Sequence, residues 1–176
     1  MNKFRNPKVL IRVLDNLLKN DEVFYENFEF HLYGDIQKTT LVDIRNKKYL
    51  NKKTIIKSYV SYDQVSKEID SSSVLLLLLN NKKNQNTTPY KLFDYLVSEK
   101  NILTLGDYPS ADVDDLLEKY KRSKRLNYSA SQEIKDFIYK MFELHKNKKL
   151  KNLKLDYSEL RYKNLAKRLK RFIDLW

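Results

Sequence analysis

The run VLLLLL, Val74 to Leu79, constrains this chain more than any other stretch. It is far shorter than the ~20 residues that cross a bilayer. It also lacks the polar alternation of a strand with one wet face. A short, unbroken apolar run bounded by polar residues (Ser71-Ser72-Ser73 before it, Asn80-Asn81 after) reads as a strand buried on both faces. Such strands lie in parallel sheets with helices above and below, so the flanking sequence must supply those helices.

It does. Asn6-Pro7 reads as an N-cap followed by proline at the first helical position. Val9, Leu10, Val13, Leu14, Leu17 and Leu18 then form one helical stripe. Phe28 to Tyr33 reads as an aromatic-rich strand stopped by Gly34-Asp35. Leu41 and Ile44 suggest a helix to about Tyr49, and Thr54 to Tyr59 the next strand. Ser61 and Gln64 stand at capping-box spacing ahead of a helix carrying Val65 and Ile69. After the leucine run, Pro89 to Glu99 reads as a helix and Ile102 to Leu105 as a strand. A helix follows with Val113, Leu116, Leu117 and Tyr120, then a short strand at Arg125 to Tyr128. Ser129 with Gln132 is expected to cap the next helix, which carries Ile134, Phe137, Ile138, Met141 and Phe142. A basic linker, His145 to Lys154, leads to a last helix from Asp156 to Trp176. Strand–helix alternation with helix-length connections predicts an α/β Rossmann-like three-layer domain over 1–176, with a mainly parallel sheet. Ligands bind such sheets at the carboxyl ends of the strands. That brings Gly34-Asp35, Tyr59 to Tyr62 and Asn80 to Pro89 to one crevice.

Composition removes several chemistries from that crevice. Of 176 residues only two are glycine, Gly34 and Gly106, so a glycine-rich phosphate loop is excluded. No GxGxxG, GxxxxGK[ST] or GxSxG occurs, which sets aside dinucleotide cofactors, P-loop chemistry and a hydrolase elbow. The absence of cysteine excludes disulfides, thiolate metal sites and thiol nucleophiles. Arg5, Lys8, Arg12 and Asp15 interrupt the first apolar stretch, so no signal peptide is visible and a cytoplasmic location is expected. His31 lies within a strand and His145 at a charged helix end, and neither is expected to be catalytic or to bind metal. Asp112, Asp114 and Asp115 follow Ser110, where carboxylates favour a helix N-terminus; no metal site is expected. Net charge is +12, from 35 Lys and Arg against 23 Asp and Glu. That charge suits phosphates, although acids are mixed through most of the chain.

One segment suits phosphates in particular. In NTTPYKLFDYL, Asn86 to Leu96, Thr87 and Thr88 precede a helix opened by Pro89-Tyr90, with Lys91 and Asp94 one turn apart. A helix start directs unpaired N–H groups toward the crevice and favours anions there. The Lys91–Asp94 spacing also allows an ordinary helical salt pair, worth only ~0.3–0.5 kcal/mol.

The stretches FRNPKVLIRVLDNLL, FEFHLYGD, TIIKSYVSYDQVSKEIDSSSVLLLLL and TTPYKLFDYLVSEKNILTLGD occur in a characteristic order and spacing. Together they resemble the carboxyl-terminal, donor-binding domain of retaining GT-B glycosyltransferases (group 1). These enzymes build bacterial polysaccharides and glycolipids from nucleotide sugars. The resemblance runs from Arg5 to Ile173. Its most specific part is Pro-x-Lys-Leu-Phe-Asp-Tyr-Leu followed by Lys-Asn-Ile-Leu, similar to the family's P-x-K-hydrophobic-hydrophobic-E-Y-hydrophobic and G-K-P-I segments.

The resemblance implies a nucleoside diphosphate site. Asp94 stands where the family glutamate binds the ribose. Thr87, Thr88, Pro89, Tyr90, Lys91 and Arg5 would hold the diphosphate. Tyr59, Val60 and Ser61 align with the loop that holds the base, and Gly34 with the glycine that admits the donor. Asn86 replaces a glutamate that contacts the donor sugar, and Glu99-Lys100-Asn101 replaces the GKP turn. The family domain has a further strand and a glycine loop ahead of this first helix, and an acceptor-binding domain before those. Without that strand, unpaired edges are expected near the sheet centre. The implied reaction is hexose transfer from a UDP- or GDP-sugar to a polysaccharide or glycolipid acceptor, with no cofactor. The catalytic residues are unknown, and a chain without the acceptor domain is expected to be inactive alone. An alternative is a non-catalytic relative or a basic nucleic-acid module, because Lys146 to Arg171 concentrates positive charge. The apolar face of the last helix disfavours nucleic acid. The same charge would suit an anionic membrane at the inner face of the cell membrane.

Overall fold

A computed structural model describes Arg5, residues 7–80, 88–150 and 156–158. Its elements are α1 (Lys8–Asn20), α2 (Glu22–Glu26), β1 (Phe30–Tyr33), α3 (Lys38–Arg45), α4 (Lys48–Lys52), β2 (Thr54–Lys57), α5 (Tyr62–Ser71), β3 (Val74–Leu78), α6 (Lys91–Val97), β4 (Asn101–Leu105), α7 (Ala111–Lys119) and α8 (Ser131–Lys146).

The strands form two parallel pairs. β1 pairs with β2 in the register Phe30 with Thr54 through Tyr33 with Lys57. β3 pairs with β4 from Val74 with Asn101 to Leu78 with Leu105. Beyond β4 the expected strand at Arg125 to Tyr128 is reduced to one parallel bridge, Leu105 to Leu126. There the Leu126 N–H bonds the Thr104 carbonyl and the Gly106 N–H the Leu126 carbonyl, while the Arg125 guanidinium turns back to the Gly106 carbonyl and to Asp114. Parallel strands joined by helices make this a Rossmann-like α/β layer. Its sheet is not continuous: β1 and β3 are not hydrogen-bonded to each other.

Two clusters of buried side chains flank β3 and β4. On one side α1 buries Leu10, Ile11, Leu14, Leu17 and Leu18 against Ile44, Leu50, Leu103, Leu105 and the α8 residues Ile134 and Phe142. On the other, Leu77, Leu79 and Ile102 meet Leu92 and Leu96 of α6 and Val113 and Leu117 of α7. Each fully buried leucine contributes about 1.5–3 kcal/mol. The stripe read in α1 is therefore the stripe that packs. Ser61 caps α5 as its spacing predicts, its Oγ accepting from the Gln64 N–H at 3.3 Å. The Ser129–Gln132 box does not form. The Ser131 N–H bonds the Ser129 carbonyl instead, Ala130 takes the cap position, and no side chain caps α8. Asn6 and nearly all of the last expected helix lie outside the described residues.

Arg122 closes the second cluster from below. Its Nη1 donates to the Lys100 carbonyl at 2.8 Å, and its Nη2 to the Leu96 carbonyl at 2.7 Å and the Tyr157 hydroxyl at 2.8 Å. A buried guanidinium thus satisfies a carbonyl at the end of α6 and ties Tyr157, stacked on Tyr120, to the core. Arg122→Ala strands both carbonyls and should cost about 3 kcal/mol. Urea denaturation checks this: the midpoint should fall with an unchanged slope, and a loss below about 1 kcal/mol would contradict the capping role.

Candidate functional site

The segment ahead of α1 is anchored to the carboxyl end of β3, because Arg5 Nε donates to Asn80 Oδ1 at 3.0 Å. Lys91 and Asp94 of α6 join Arg5 and Asp35 in lining a slot of about 970 Å³ that runs between β1 and β3. Charged groups from three separate stretches of sequence therefore line one cavity, which Glu26, Glu29 and Glu68 also reach.

Of these, Lys91 and Asp94 are both held in surroundings that disfavour their charged forms. Protein crowding around the Lys91 ammonium lowers its pKa, and the nearby Arg5 charge lowers it further, although the side chain as a whole keeps access to solvent. Partial burial raises the Asp94 pKa, and among the described residues no cation offsets it. Among the described residues Lys91 and Asp94 form no ion pair, so the helical salt pair that their spacing allows is not made. Asp94 in turn raises the pKa of the neighbouring Tyr95 hydroxyl, which burial has already pushed up.

The turn before α6 differs from the sequence expectation. The N–H groups of Leu92 and Phe93 donate to the Pro89 and Tyr90 carbonyls at 2.9 and 3.0 Å. Tyr90 already has helical dihedrals (φ −53°, ψ −41°) and caps without its side chain. The winding thus starts tightly at Pro89, which moves the cap position past Thr88, and Thr88 does not cap. Thr88 and Pro89 are half-buried, whereas Tyr90 is 65 % exposed. Thr87 and Asn86 lie outside the described residues.

The second loop group sits at the ends of β1 and β2. Gly34 has φ +89°, a left-handed turn that glycine alone adopts without strain, and its N–H bonds the Lys57 carbonyl at 3.0 Å. The Tyr59 ring lies 3.8 Å from where a Gly34 Cβ would stand, and Tyr59 is 82 % exposed. Val60 is half-buried, and Ser61 is occupied in capping α5. The structure thus groups Arg5, Lys91 and Asp94 around the slot, and Gly34 with Tyr59 beside it.

Sequence reasoning passed over a third group. Glu68 of α5 accepts from Gln64 Nε2 at 2.8 Å and from the Tyr33 hydroxyl, and stands 3.4 Å from Lys57 Nζ. Tyr33 and Lys57 are register partners across β1 and β2, a pairing no local pattern reveals. His31 is half-exposed on this network, 2.7 Å from Glu29 and 3.8 Å from Glu68. Asp114 takes the Arg125 guanidinium at 3.0 and 3.1 Å and accepts from the Ser110 N–H, as expected of a helix-start carboxylate. The described residues contain no group of three or more metal-ligating side chains, and no helix among them is long and apolar enough to cross a membrane.

Parallel α/β layers in general bind their ligands at the carboxyl ends of the strands, where these charged groups stand. Comparison of the fold with solved structures finds a crystal structure of TarM, a glycosyltransferase. The two superpose with a TM-score of 0.46 at 16 % identity, over 97 % of this chain and 33 % of TarM. The chain therefore spans about a third of the length of that protein, and a likeness at this level assigns no activity. No family model matches the sequence, and no curated protein matches it.

The charge pattern has a consequence for stability. The folded-state pKa of Asp94 lies above its unfolded value, so folding binds a proton and stability falls as pH rises through the carboxylate range. Asp94→Asn should therefore raise the urea midpoint at pH 7, and its advantage over the parent should vanish on acidification. A midpoint that drops at pH 7 would mean that the carboxylate has a structural partner.

Proposed function

We propose that this chain is the nucleotide-sugar-binding half of a retaining glycosyltransferase, organised as one donor-binding domain. The observation that carries the reading is that Lys91, crowded by burial and by Arg5, lines one cavity with Asp94, a half-buried carboxylate without a cation partner among the described residues. An ammonium whose protonation is opposed by burial and by a neighbouring guanidinium is stabilised by an anion between the two, and a diphosphate supplies one. A carboxylate without a donor is satisfied by vicinal ribose hydroxyls. Arg5 and Lys91 are assigned to the diphosphate and Asp94 to the ribose, in agreement with the resemblance of the Pro89–Leu96 segment.

The donor-side task in the proposed reaction is electrostatic. As the bond between the anomeric carbon and the diphosphate breaks, charge grows on the departing oxygen, and cations already in place stabilise it without reorganising. Thr87, Thr88, Pro89 and Tyr90 would complete the diphosphate seat, Asn86 would meet the sugar, and Gly34 with Tyr59, Val60 and Ser61 would face the base. The acceptor would be held by a second domain. The Lys- and Arg-rich stretch from 146 to 171 would rest on an anionic membrane surface, where a lipid-linked acceptor is available.

Titration calorimetry with UDP and GDP tests the site. One of them should bind. Asp94→Asn should weaken it about tenfold or more, the loss of one charged hydrogen bond. Affinity should also decline as pH rises toward the depressed pKa of Lys91, because the neutral amine no longer attracts phosphate. Absence of binding by the folded chain, or equal binding by Asp94→Asn, would refute the assignment. A steeply salt-dependent affinity for DNA in its place would favour the nucleic-acid alternative.

A further inference from the structure

A second cavity, of about 390 Å³, opens at the amino ends of β3 and β4, away from the mouth that holds Lys91 and Asp94. Every polar side chain that lines it carries a hydrogen-bond donor. Lys100 and Asn101 stand at the start of β4, Ser71 to Ser73 between α5 and β3, and His145 and Lys148 at the end of α8. No carboxylate lines it among the described residues.

Cations at helix ends ordinarily serve the last carbonyls of the helix. At both helix ends here, other donors already do so. The Glu68 carbonyl of α5 accepts from the Ser71 and Ser72 hydroxyls at 3.1 and 2.6 Å, and the Asp70 carbonyl from Lys100 Nζ at 2.6 Å. In α8 the Glu143 carbonyl accepts from Asn147 Nδ2, the Leu144 carbonyl from the N–H groups of Lys149 and Leu150, and the His145 carbonyl from that of Lys148. Lys148 makes this turn at φ +55°, a left-handed position that glycine ordinarily fills. The side chains of Ser73, Asn101, His145 and Lys148 are then left with no hydrogen bond or ion pair among the described residues. Glu143, the last acid of α8, is taken by Lys146 at 3.9 Å. The sequence from 151 to 155 adds lysines and no acid. The donors that remain call for an acceptor from outside, and their charge makes it an anion.

We infer that this cavity binds a phosphate monoester carried on a small polyol, either free or as a lipid headgroup. The phosphate lies among Lys100, His145 and Lys148. Lys100 gives one donor to Asp70 and keeps the others, and the Lys148 ammonium is uncommitted, so both make charge-assisted hydrogen bonds to phosphate oxygens. The His145 ring, the Ser73 hydroxyl and the Asn101 amide add further donors. Ser71 and Ser72 serve the polyol instead. Their hydroxyl hydrogens are committed to the Glu68 carbonyl, so their oxygens accept from ligand hydroxyls. The volume fits such a ligand better than a bare phosphate, since small-molecule sites run from about 300 to 1,000 Å³. The inference goes beyond the nucleotide assignment and is independent of it, because that site stands at the carboxyl ends of the strands.

Two probes separate the sources: glycerol 3-phosphate in solution, and phosphatidylcholine vesicles with and without phosphatidic acid. Titrating the full chain with glycerol 3-phosphate should move the amide NMR signals of Ser73, Asn101 and Lys148, and glycerol alone should move none. Lys148→Gln should weaken binding about tenfold or more, the loss of one charge-assisted contact. The double variant Arg45→Gln, Lys48→Gln removes two exposed cations from another part of the surface and should leave the affinity unchanged. Binding of the free phosphate without vesicle capture assigns a soluble ligand. Capture by phosphatidic acid vesicles that falls in Lys148→Gln assigns a lipid headgroup. Equal losses in the Lys148 and Arg45–Lys48 variants overturn the inference, as do shifts confined to the Lys91–Asp94 mouth. Failure of the folded chain to bind either probe overturns it too, and so does vesicle capture that survives both Lys148→Gln and His145→Gln.

Discussion

Because Val74–Leu78 is apolar on both faces, neither face can be left to water, and the helices on each side are positioned by the need to cover it. α1 and α8 settle over Val74, Leu76 and Leu78, while α6 and α7 settle over Leu77 and its neighbour Ile102. The pairing with β4 holds five residues in register and presents both clusters to their helices at once. The carboxyl end of the pair is then closed by polar groups. Tyr128 donates its buried hydroxyl to the Leu79 carbonyl at 2.6 Å, and Arg5 grips Asn80 one residue later. The mouth that carries Lys91 and Asp94 is where it is because β3 ends there.

Several charged groups away from that mouth are paired, although Thr104 Oγ1, Ser110 Oγ and Arg122 Nε are buried without a partner among the described residues. Arg122 serves the Leu96 and Lys100 carbonyls, Arg125 meets Asp114 with two nitrogens, and Asp15 accepts the N–H groups of Tyr49 and Leu50 at 2.9 Å. At the mouth a carboxylate without a cation partner among the described residues and a crowded ammonium stand one helical turn apart. Folding alone does not favour that arrangement, since both groups titrate in the direction that opposes it. Groups held at a cost to stability are what a binding site retains.

Where side-chain periodicity carried the signal, the sequence was legible. The α1 stripe, the α5 cap at Ser61 and the strand β3 all form where their spacing says, although only the Leu75 and Leu77 face of β3 is fully buried. α2 went unseen because it buries only Phe24 and has no stripe. It is held by Asp21, whose Oδ1 caps the Phe24 N–H at 2.8 Å while Oδ2 accepts from Tyr139 at 2.6 Å, a partner 118 positions away. The Ser129–Gln132 spacing misled for the complementary reason: a box of the right residues forms only if the backbone enters at the right angle, and Ala130 occupies the cap. Among the site residues, Lys91 and Asp94 were legible as neighbours on one helix. Their failure to pair, the approach of Arg5 and the Tyr33–Lys57–Glu68 network were not.

The sequence by itself determined the kinds of element and their order, because helical and strand periodicities are local properties of side-chain spacing. It also determined that a lysine and an aspartate share the first turns of α6. Only the tertiary structure decided that the described strands fall into two pairs, and that Arg5 joins Lys91 and Asp94 around one cavity. Those outcomes depend on register and on contacts between distant segments. Neither leaves a trace in the spacing of residues along the chain.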